Sequence, residues 1–402
     1  MVLKEYSLGE LLKYEQPTKY IVSSTNYDDS YQTPVLTAGK SFILGYTDET
    51  EDIYEKDNLP VIIFDDFTTS SKYVDFPFKV KSSAMKILIP NSDLVLAKYI
   101  YYRMQIIPFD YSTHKRYWIQ QYSKLRIQVP DLLEQERIVY QIEEMLSELD
   151  AGTKMLSKIQ RQLPVFKQAV LEKAFQGEFT KNKHSYIKEN LNWALPAEIN
   201  NLPNIPMEWR YVALSQLGEL GRGKSKHRPR NDAKLFEGGK YPFLQTSEVK
   251  AANKYITKYS KMYGDFGLSQ SKLWPKGTLC ITIAANIAET AFLGMDACFP
   301  DSVVGFTASK LVNPTYIKYF IESQKVRLWA FAPATAQKNI NLDTLEKLIV
   351  PYCDIEEQNV VVEEIESRMS ICEKIEETVE SALQESEIMC QSILKKAFEG
   401  RY

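Results

Sequence analysis

Between residues 134 and 177, apolar side chains fall at 138, 142, 145, 149, 156, 159, 163, 166 and 170, with Gly152 in the one remaining slot. Steps of four and three alternate, which is the spacing of a coiled-coil seam and not of a strand. The seam is therefore Ile138, Ile142, Met145, Leu149, Leu156, Ile159, Leu163 and Phe166. It predicts one long helix, roughly 65 Å at 1.5 Å per residue. Gly152 and Pro164 should weaken or kink it, because proline removes a backbone donor and crowds the preceding turn. A second stretch, 357–400, keeps Val361, Ile365, Cys372, Ile375, Val379 and Met389 on the same seam, although Arg368 and Ser386 interrupt it. Set at an offset of 223, the two stretches are identical at 12 of 44 positions without a gap. The matches gather at the ends: Glu134-Gln135 with Glu357-Gln358, Ile142-Glu143 with Ile365-Glu366, and Leu171-x-Lys173-Ala174-Phe175-x-Gly177 with Leu394-x-Lys396-Ala397-Phe398-x-Gly400. This is an internal repeat. A lone rod would expose its stripe, so the cheapest partner for each copy is the other. Gly177 and Gly400 stop both helices as C-terminal caps do.

The periodicity changes character before each rod. Residues 1–130 and 207–350 are rich in Tyr, Phe, Thr, Val and Ile, in short runs broken by Gly, Pro, Asn and Asp. Val61-Ile62-Ile63-Phe64 and Leu279-Cys280-Ile281-Thr282-Ile283 read as buried strands. A Val-Pro pair closes each block, Val129-Pro130 and Val350-Pro351, and Pro34-Val35-Leu36-Thr37 resembles Pro242-Phe243-Leu244-Gln245. Residues 181–206 carry Pro196, Pro203, Pro206 and several Asn, the composition of a linker. The chain thus reads as an α+β protein of five segments: globule 1–130, long helix 131–180, linker 181–206, globule 207–350 and long helix 351–402.

Composition excludes some classes and misleads on one. In 402 residues, 44% hydrophobic and 25% charged, there is ample apolar content for packed cores, and wholesale disorder is excluded. The N-terminus has no apolar signal core and no run approaches 18 apolar residues, so a cytoplasmic chain without membrane spans is expected. Five cysteines without C-x-x-C spacing and three scattered histidines give neither a disulfide frame nor a metal site. The net charge of −3 taken whole argues against a nucleic-acid partner. Counted by segment it does not. Residues 1–130 carry −1, 131–208 carry −3, 209–350 carry +9 and 351–402 carry −8. A globule at +9 suits a phosphate-facing surface.

The cations of that globule concentrate in Arg222-x-Lys224-x-Lys226-His227-Arg228-x-Arg230, a run that can track a duplex backbone or reach guanine edges. A solvated loop is the alternative reading of the same residues. The first globule offers His114, Lys115, Arg116 and Tyr117, where cations adjoin an aromatic, with Lys40 and Lys72 as isolated additions. Amides and hydroxyls that could read adenine edges are Gln245, Ser247, Asn286, Gln337 and Asn339, with Lys338 between the last two. Taken singly, each reads more readily as a turn residue than as a base reader.

Catalytic patterns are missing from the sequence. It contains no phosphate-binding G-x-x-x-x-G-K-[ST] loop, and Gly218-x-x-Gly221-x-Gly223 lacks dinucleotide-motif spacing. Asn313-Pro314-Thr315-Tyr316 has no second proline and reads as a turn opening a helix rather than a base-holding methyltransferase loop. Pro300-Asp301 opens a nuclease-like pattern that no E-x-K completes, and Asp65-Asp66 reads as a strand-ending turn.

Together these residues resemble the specificity subunits of type I restriction-modification systems. The resemblance covers essentially the full chain. It rests on Pro206-x-x-Trp209 with Leu214-x-x-Leu217-Gly218, on Ala285-Asn286-Ile287-Ala288-Glu289-Thr290-Ala291, and on Ala297-Cys298-Phe299-Pro300-Asp301-Ser302-Val303-Val304-Gly305. Gln337-Lys338-Asn339-Ile340, Val350-Pro351, Glu356-Glu357-Gln358 and the Leu-x-Lys-Ala-Phe-x-Gly helix ends complete it. Pro164 and the acidic second rod depart from the pattern.

The resemblance implies two mixed α/β target-recognition domains alternating with two long helices, paired as an antiparallel coiled coil with pseudo-twofold duplication. It implies a non-catalytic subunit that reads a split, asymmetric double-stranded DNA target, with the helices as spacer. Two methylation subunits and two motor-nuclease restriction subunits would be its partners. S-adenosylmethionine, ATP and Mg would be bound by those partners and by no residue here. Two other readings compete: a fragment of a fused restriction-methylation enzyme, and a coiled-coil scaffold without DNA specificity.

Overall fold

Both repeats form long helices, Leu132–Ala174 and Ile355–Glu399. The protein is represented by a computed structural model that describes residues 3–37, 41–108, 117–181, 202–331 and 339–400. An aspartate precedes each helix and caps it: the Asp131 carboxylate accepts the Glu134 N–H at 2.9 Å and the Asp354 carboxylate accepts the Glu356 N–H at 3.0 Å. Gly177 and Gly400 end them at φ +73° and +66°, the left-handed conformation that glycine adopts without a Cβ penalty. The first helix runs unbroken through Gly152 and Pro164, the two positions expected to weaken or kink it. Both are exposed, while Leu163 beside the proline is buried, so packing holds the turn that lacks its hydrogen bond.

The chain divides into two compact units, Met1–Lys158 with Val379–Tyr402, and Ile159–Thr378. Each draws on both long helices. In the first unit, Lys4–Ser7 pairs antiparallel with Arg126–Val129, so the start and end of the globule close on each other. Behind that pair stands a four-stranded sheet in the order Leu12–Glu15, Met85–Pro90, Val61–Asp65, Ser71–Val74. A three-stranded sheet of Ile43–Thr47, Thr33–Leu36 and Lys79–Val80 completes the globule. The helix Ala97–Met104 covers the core side, with Tyr99 and Ile100 buried.

The second unit is likewise closed by a pair of strands from its two ends. Arg210–Ala213 pairs with Ile349–Tyr352. A five-stranded sheet runs Gly218–Arg222, Val303–Ala308, Leu279–Thr282, Thr290–Leu293, Tyr255–Ile256. A four-stranded sheet runs Lys261–Tyr263, Tyr241–Phe243, Ala297–Cys298, Leu273–Trp274. The sequence expectation of strands at Val61–Phe64 and Leu279–Thr282 is met, and every residue of both runs is buried, as near-continuous apolar strands require. Asn313 caps the helix Pro314–Ser323, its side chain accepting the Thr315 N–H at 2.8 Å.

The long helices are built into these cores. In the first unit, Ile138 and Ile142 share one apolar cluster with Ile62, Phe64 and Leu88 of the sheet and with Leu394 and Ala397 of the second helix. In the second, Val361 and Ile365 share a cluster with Leu279, Ile281 and Phe306 and with Leu171, Ala174 and Phe175 of the first helix. Within each unit, early turns of one helix therefore lie with the last turns of the other. The repeated phenylalanine makes this contact specific: Phe398 meets Tyr99 edge-on with ring centroids 5.2 Å apart, and Phe175 meets Tyr316 edge-on at 5.0 Å. Burying one such side chain stabilises by about 1.5–3 kcal/mol. Ile138, Ile142, Leu163, Val361, Ile365, Cys372 and Val379 are buried, and Met145, Leu149, Leu156 and Ile159 are half-buried. Phe166, Ile375 and Met389 stand 55%, 38% and 52% exposed, outside the buried stripe. A strict 3.5-residue spacing drifts around a 3.6-residue helix, and near the helix ends Val139, Leu171, Val362 and Leu394 are buried off the stripe, while Val170 is buried on it.

One polar contact recurs with the same atoms. Gln135 is fully buried: its Nε2 donates to Pro130 O at 2.9 Å and Leu94 O at 3.0 Å, and its Oε1 accepts the Leu96 N–H at 2.8 Å. Gln358, also fully buried, donates to Cys353 O at 2.8 Å and Leu311 O at 3.3 Å and accepts the Asn313 N–H at 2.9 Å. Each glutamine thereby fastens the first turn of a long helix to the chain entering the globule's covering helix. Leaving a buried backbone group without a partner costs about 1–3 kcal/mol. Gln358→Leu strips two such groups, Cys353 O and the Asn313 N–H, since the Tyr352 hydroxyl still donates to Leu311 O at 3.3 Å. It should lower unfolding stability by roughly 2 kcal/mol or more, read as a fall in the denaturation midpoint. A loss under about 0.5 kcal/mol, the range of a neutral surface change, would mean the clamp is dispensable.

Candidate nucleic-acid interface

The basic run of the second globule starts at the end of a strand, continues to Lys226, bends through residues 227–229 and turns at Arg230. Exposure alternates from Arg222 to Arg228. Arg222, Lys224, Lys226, Arg228 and Arg230 are all exposed, whereas Gly223 and Ser225 are buried and His227 is half-buried. A two-residue period thus turns Arg222, Lys224, Lys226 and Arg228 toward solvent while the residues between them anchor the chain, and Arg230 is exposed beyond the bend.

The anchoring is dense. Gly223 N–H donates to Val303 O at 2.9 Å, Lys224 N–H to Phe299 O at 3.1 Å and Lys226 N–H to Gln270 O at 3.1 Å. The Ser271 hydroxyl donates to Lys224 O at 2.8 Å. Gly223 has to be glycine, because a Cβ there would sit 2.3 Å from Pro300 O and 2.4 Å from Phe299 O. Gly221 is fixed by a different neighbour. It pairs across the sheet with Gly305, and the Trp274 ring lies over both, 2.6 Å and 2.8 Å from where their Cβ atoms would be. Trp274 stacks on Phe299 at 5.0 Å, and the Lys272 ammonium lies 3.6 Å from its ring centroid. The glycine cluster is therefore a seat for an indole and a neighbouring loop, consistent with its lack of nucleotide-motif spacing.

The arginines are oriented by the loop Pro300-Asp301-Ser302. Arg230 Nη2 donates to both carboxylate oxygens of Asp301 at 2.9 and 3.1 Å, and Arg222 Nε donates to the Asp301 backbone oxygen. Arg228 Nη1 donates to Ser225 O at 2.6 Å and His227 O at 2.9 Å. His227 is taken up by its surroundings, with Nε2 2.7 Å from the Asp232 carboxylate and the ring edge-on to Phe266 at 5.3 Å. That hydrogen bond, reinforced by the Lys234 N–H, holds the Asp232 carboxyl below its ordinary value.

Arg230 and Gln245 are brought together. Both line a cavity of about 280 Å³ with Asn231, Lys261, Ser302 and Phe243. Gln245 precedes the short helix Thr246–Ala251, and its N–H donates to Glu248 at 3.1 Å. Ser247 is exposed and its hydroxyl donates to Glu248 at 2.8 Å. Burial works to raise the Glu248 carboxyl, but hydrogen bonds from Ser260, Ser247 and the backbone outweigh it and hold the group low and charged. Sequence pattern does not single out Lys261, Asn231 or Ser302. Lys261 is a single cation on a distant strand, opposite Phe243 across the sheet, and only the pairing makes it a neighbour of the run.

Asn339 lies at the root of the turn that carries Asn286. Asn286 occupies a tight turn between paired strands, together with Ala285 and Ala288 at φ +64° and +63°. Left-handed alanine costs about 1–2 kcal/mol, and Thr282 holds the turn: its backbone oxygen accepts the Ala288 N–H at 2.9 Å and its hydroxyl oxygen the Glu289 N–H at 3.0 Å. Asn339 is exposed and bridges to Ala284 at the root of that turn.

In the first globule, Lys72 is exposed on the strand Ser71–Val74. Tyr117 is 2% exposed, and its N–H donates to Asp66 O at 3.0 Å, so its ring belongs to the globule's interior and not to a nucleic-acid surface. Asp66 also accepts the Trp118 N–H at 2.8 Å and lies 3.8 Å from the buried Lys86 ammonium. Lys40, His114, Lys115, Arg116, Gln337 and Lys338 lie outside the described residues. Among the described residues, no three His, Cys, Asp or Glu side chains gather as a metal site, and no helix is long and apolar enough to cross a membrane.

Comparison with known proteins gives this geometry its family. The model of the type I restriction modification DNA specificity domain matches residues 206–385. The chain is 32% identical over 371 residues to the EcoR124I/EcoR124II specificity subunit of Escherichia coli, covering 89% of this chain and 84% of the relative. Its fold is similar to a chain from a structural study of assembly and conformational transition in the type I R-M system, at TM-score 0.71 and 15% identity, covering 100% and 98% of the two chains. It is similar also to the HsdS subunit from Thermoanaerobacter tengcongensis, at TM-score 0.59 and 16% identity, covering 100% and 97%. The chain belongs to the family of type I restriction enzyme specificity subunits.

Proposed function

We propose that this chain is the non-catalytic DNA-reading subunit of a type I restriction-modification complex. Each globule reads one part of a split, asymmetric target, and the paired long helices hold the two parts at a fixed spacing. The observation that carries this reading is the run from 222 to 230, where five exposed cations leave an anchored backbone in a globule of net charge +9. Lysine and arginine on phosphate fix register, while arginine and amide groups on base edges supply sequence discrimination. The cavity shared by Arg230 and Gln245 sets both kinds of group side by side.

The recurrence of the glutamine clamp and of the phenylalanine–tyrosine contact at corresponding positions supports a pseudo-twofold duplicated plan. A two-part target without internal symmetry calls for such a plan: the same scaffold twice, with different surfaces. Two methylation subunits would dock on helices and globules and bring S-adenosylmethionine, flipping the adenine into their own sites. Two restriction subunits would bring ATP and Mg. The chain itself holds register and supplies no reacting group.

Reversing the charge at Arg222, Lys224 and Arg228 should lower DNA affinity and flatten its dependence on salt, by about 0.9 in log–log slope for each phosphate that is no longer neutralised. An unchanged slope removes the run from the interface. Deleting seven residues from each long helix should shorten the unread gap of the methylated motif and leave both half-sequences intact. Altered half-sequences would contradict the spacer role.

A further inference from the structure

We infer that Asp301 is a specificity-determining positioning residue, an acidic group kept within a cationic surface to aim its arginines and to weaken binding to wrong sequences. The inference rests on the DNA-reading role proposed above and deepens it. Two arginines of the run, eight positions apart, converge on this one residue: Arg230 through Nη2 on both carboxylate oxygens and Arg222 on the backbone oxygen. The Arg230 guanidinium is thus held by this charge-assisted contact before any DNA arrives. The loop that carries Asp301 is itself fastened. Gly223 donates to Val303, Lys224 donates to Phe299, and the missing Cβ of Gly223 lets the two chains touch. Pro300 and Ser302, on either side, line the cavity that Arg230 shares with Gln245.

The electrostatics give the acid a second effect. The Arg230–Asp301 pair is half exposed, 51% and 37% at the two side chains, so it contributes little to folding stability. It does lower the local positive potential. A phosphate of any sequence meets a neutralised arginine, whereas a base edge matched to the fixed guanidinium meets a donor already in place. Removing the carboxylate frees a cation and releases the fork, which raises indiscriminate binding and lowers discrimination together. A residue that only supported the fold would move both affinities downward.

The test uses the full-length chain assembled with its methylation subunits. Its probes are a duplex library randomised across its centre and one fixed duplex that the library selection does not enrich. Asp301→Asn is expected to raise affinity for the fixed duplex several-fold and to steepen its salt slope by about 0.9, the effect of one more phosphate neutralised. It should reduce enrichment of the preferred sequence about tenfold, within the range of one good base contact. Asp301→Glu, which keeps the charge, should leave the fixed-duplex slope as in wild type. In an Arg230→Ala background, Asp301→Asn should change neither quantity, because the acid acts through that arginine. If Arg230→Ala alters binding while Asp301→Asn leaves slope and enrichment unchanged, or changes them equally in both backgrounds, the positioning role is overturned and the DNA-reading role stands. If Arg230→Ala alters neither affinity nor enrichment, the reading role of this cleft falls as well.

Discussion

Two buried glutamines determine whether a long helix and a globule behave as one body. A helix more than forty residues long, with charged side chains along much of its surface, has no intrinsic reason to keep a fixed direction relative to a β-rich globule. Gln135 and Gln358 supply one, because each side chain satisfies one carbonyl and one N–H of the chain entering the globule's covering helix, and one carbonyl just ahead of its own helix. Buried amides of this kind are directional, and a half-satisfied site is worse than an apolar one. A small rotation of the helix would therefore break two hydrogen bonds to the globule at once. Apolar burial at Ile138, Ile142, Val361 and Ile365 supplies most of the free energy. The glutamines supply the orientation.

The far ends of the helices follow the same logic with different chemistry. Phe175 and Phe398 each meet a buried tyrosine, and Leu171 with Ala174 and Leu394 with Ala397 fill the space around them. Burial pushes the Tyr316 hydroxyl far above its ordinary value and Tyr99 up to about 12, so both remain neutral donors through the physiological range. The Tyr316 hydroxyl donates to Pro351 O at 2.7 Å, within the strand that leads into the second helix. Each unit thus receives one helix at its beginning and the other at its end. A spacer role requires rigidity of this kind at both attachments.

Much of this is legible in the sequence, for reasons that also explain the misses. The four–three spacing and the repeat at offset 223 define both rods, because helix periodicity is a local property. The buried apolar runs at 61–64 and 279–282 are legible for the same reason. The partners of Gln135 and Gln358 are not, since Leu94 and Leu311 lie 217 residues apart rather than 223, and a gapless repeat comparison passes over them. Tyr117 adjoins cations in sequence, which suggests a stacking surface, but its neighbours in space are Asp66 and the core. Phe166, Ile375 and Met389 fit the seam by counting and miss it by rotation. In the cleft, charge locates the run from Arg222 to Arg230 correctly as exposed, yet Lys261 and Asp301 join it only through strand pairing and loop contacts that no spacing rule encodes.

A chain that reads a divided target must show that division in the DNA it serves. The direct measurement is to map methylated adenines across the genome of cells producing this chain with its methylation subunits. The expected result is a single motif of two short, unlike half-sequences separated by an unread gap of constant length. A continuous or palindromic motif, or a gap that varies from site to site, would contradict the divided-target reading.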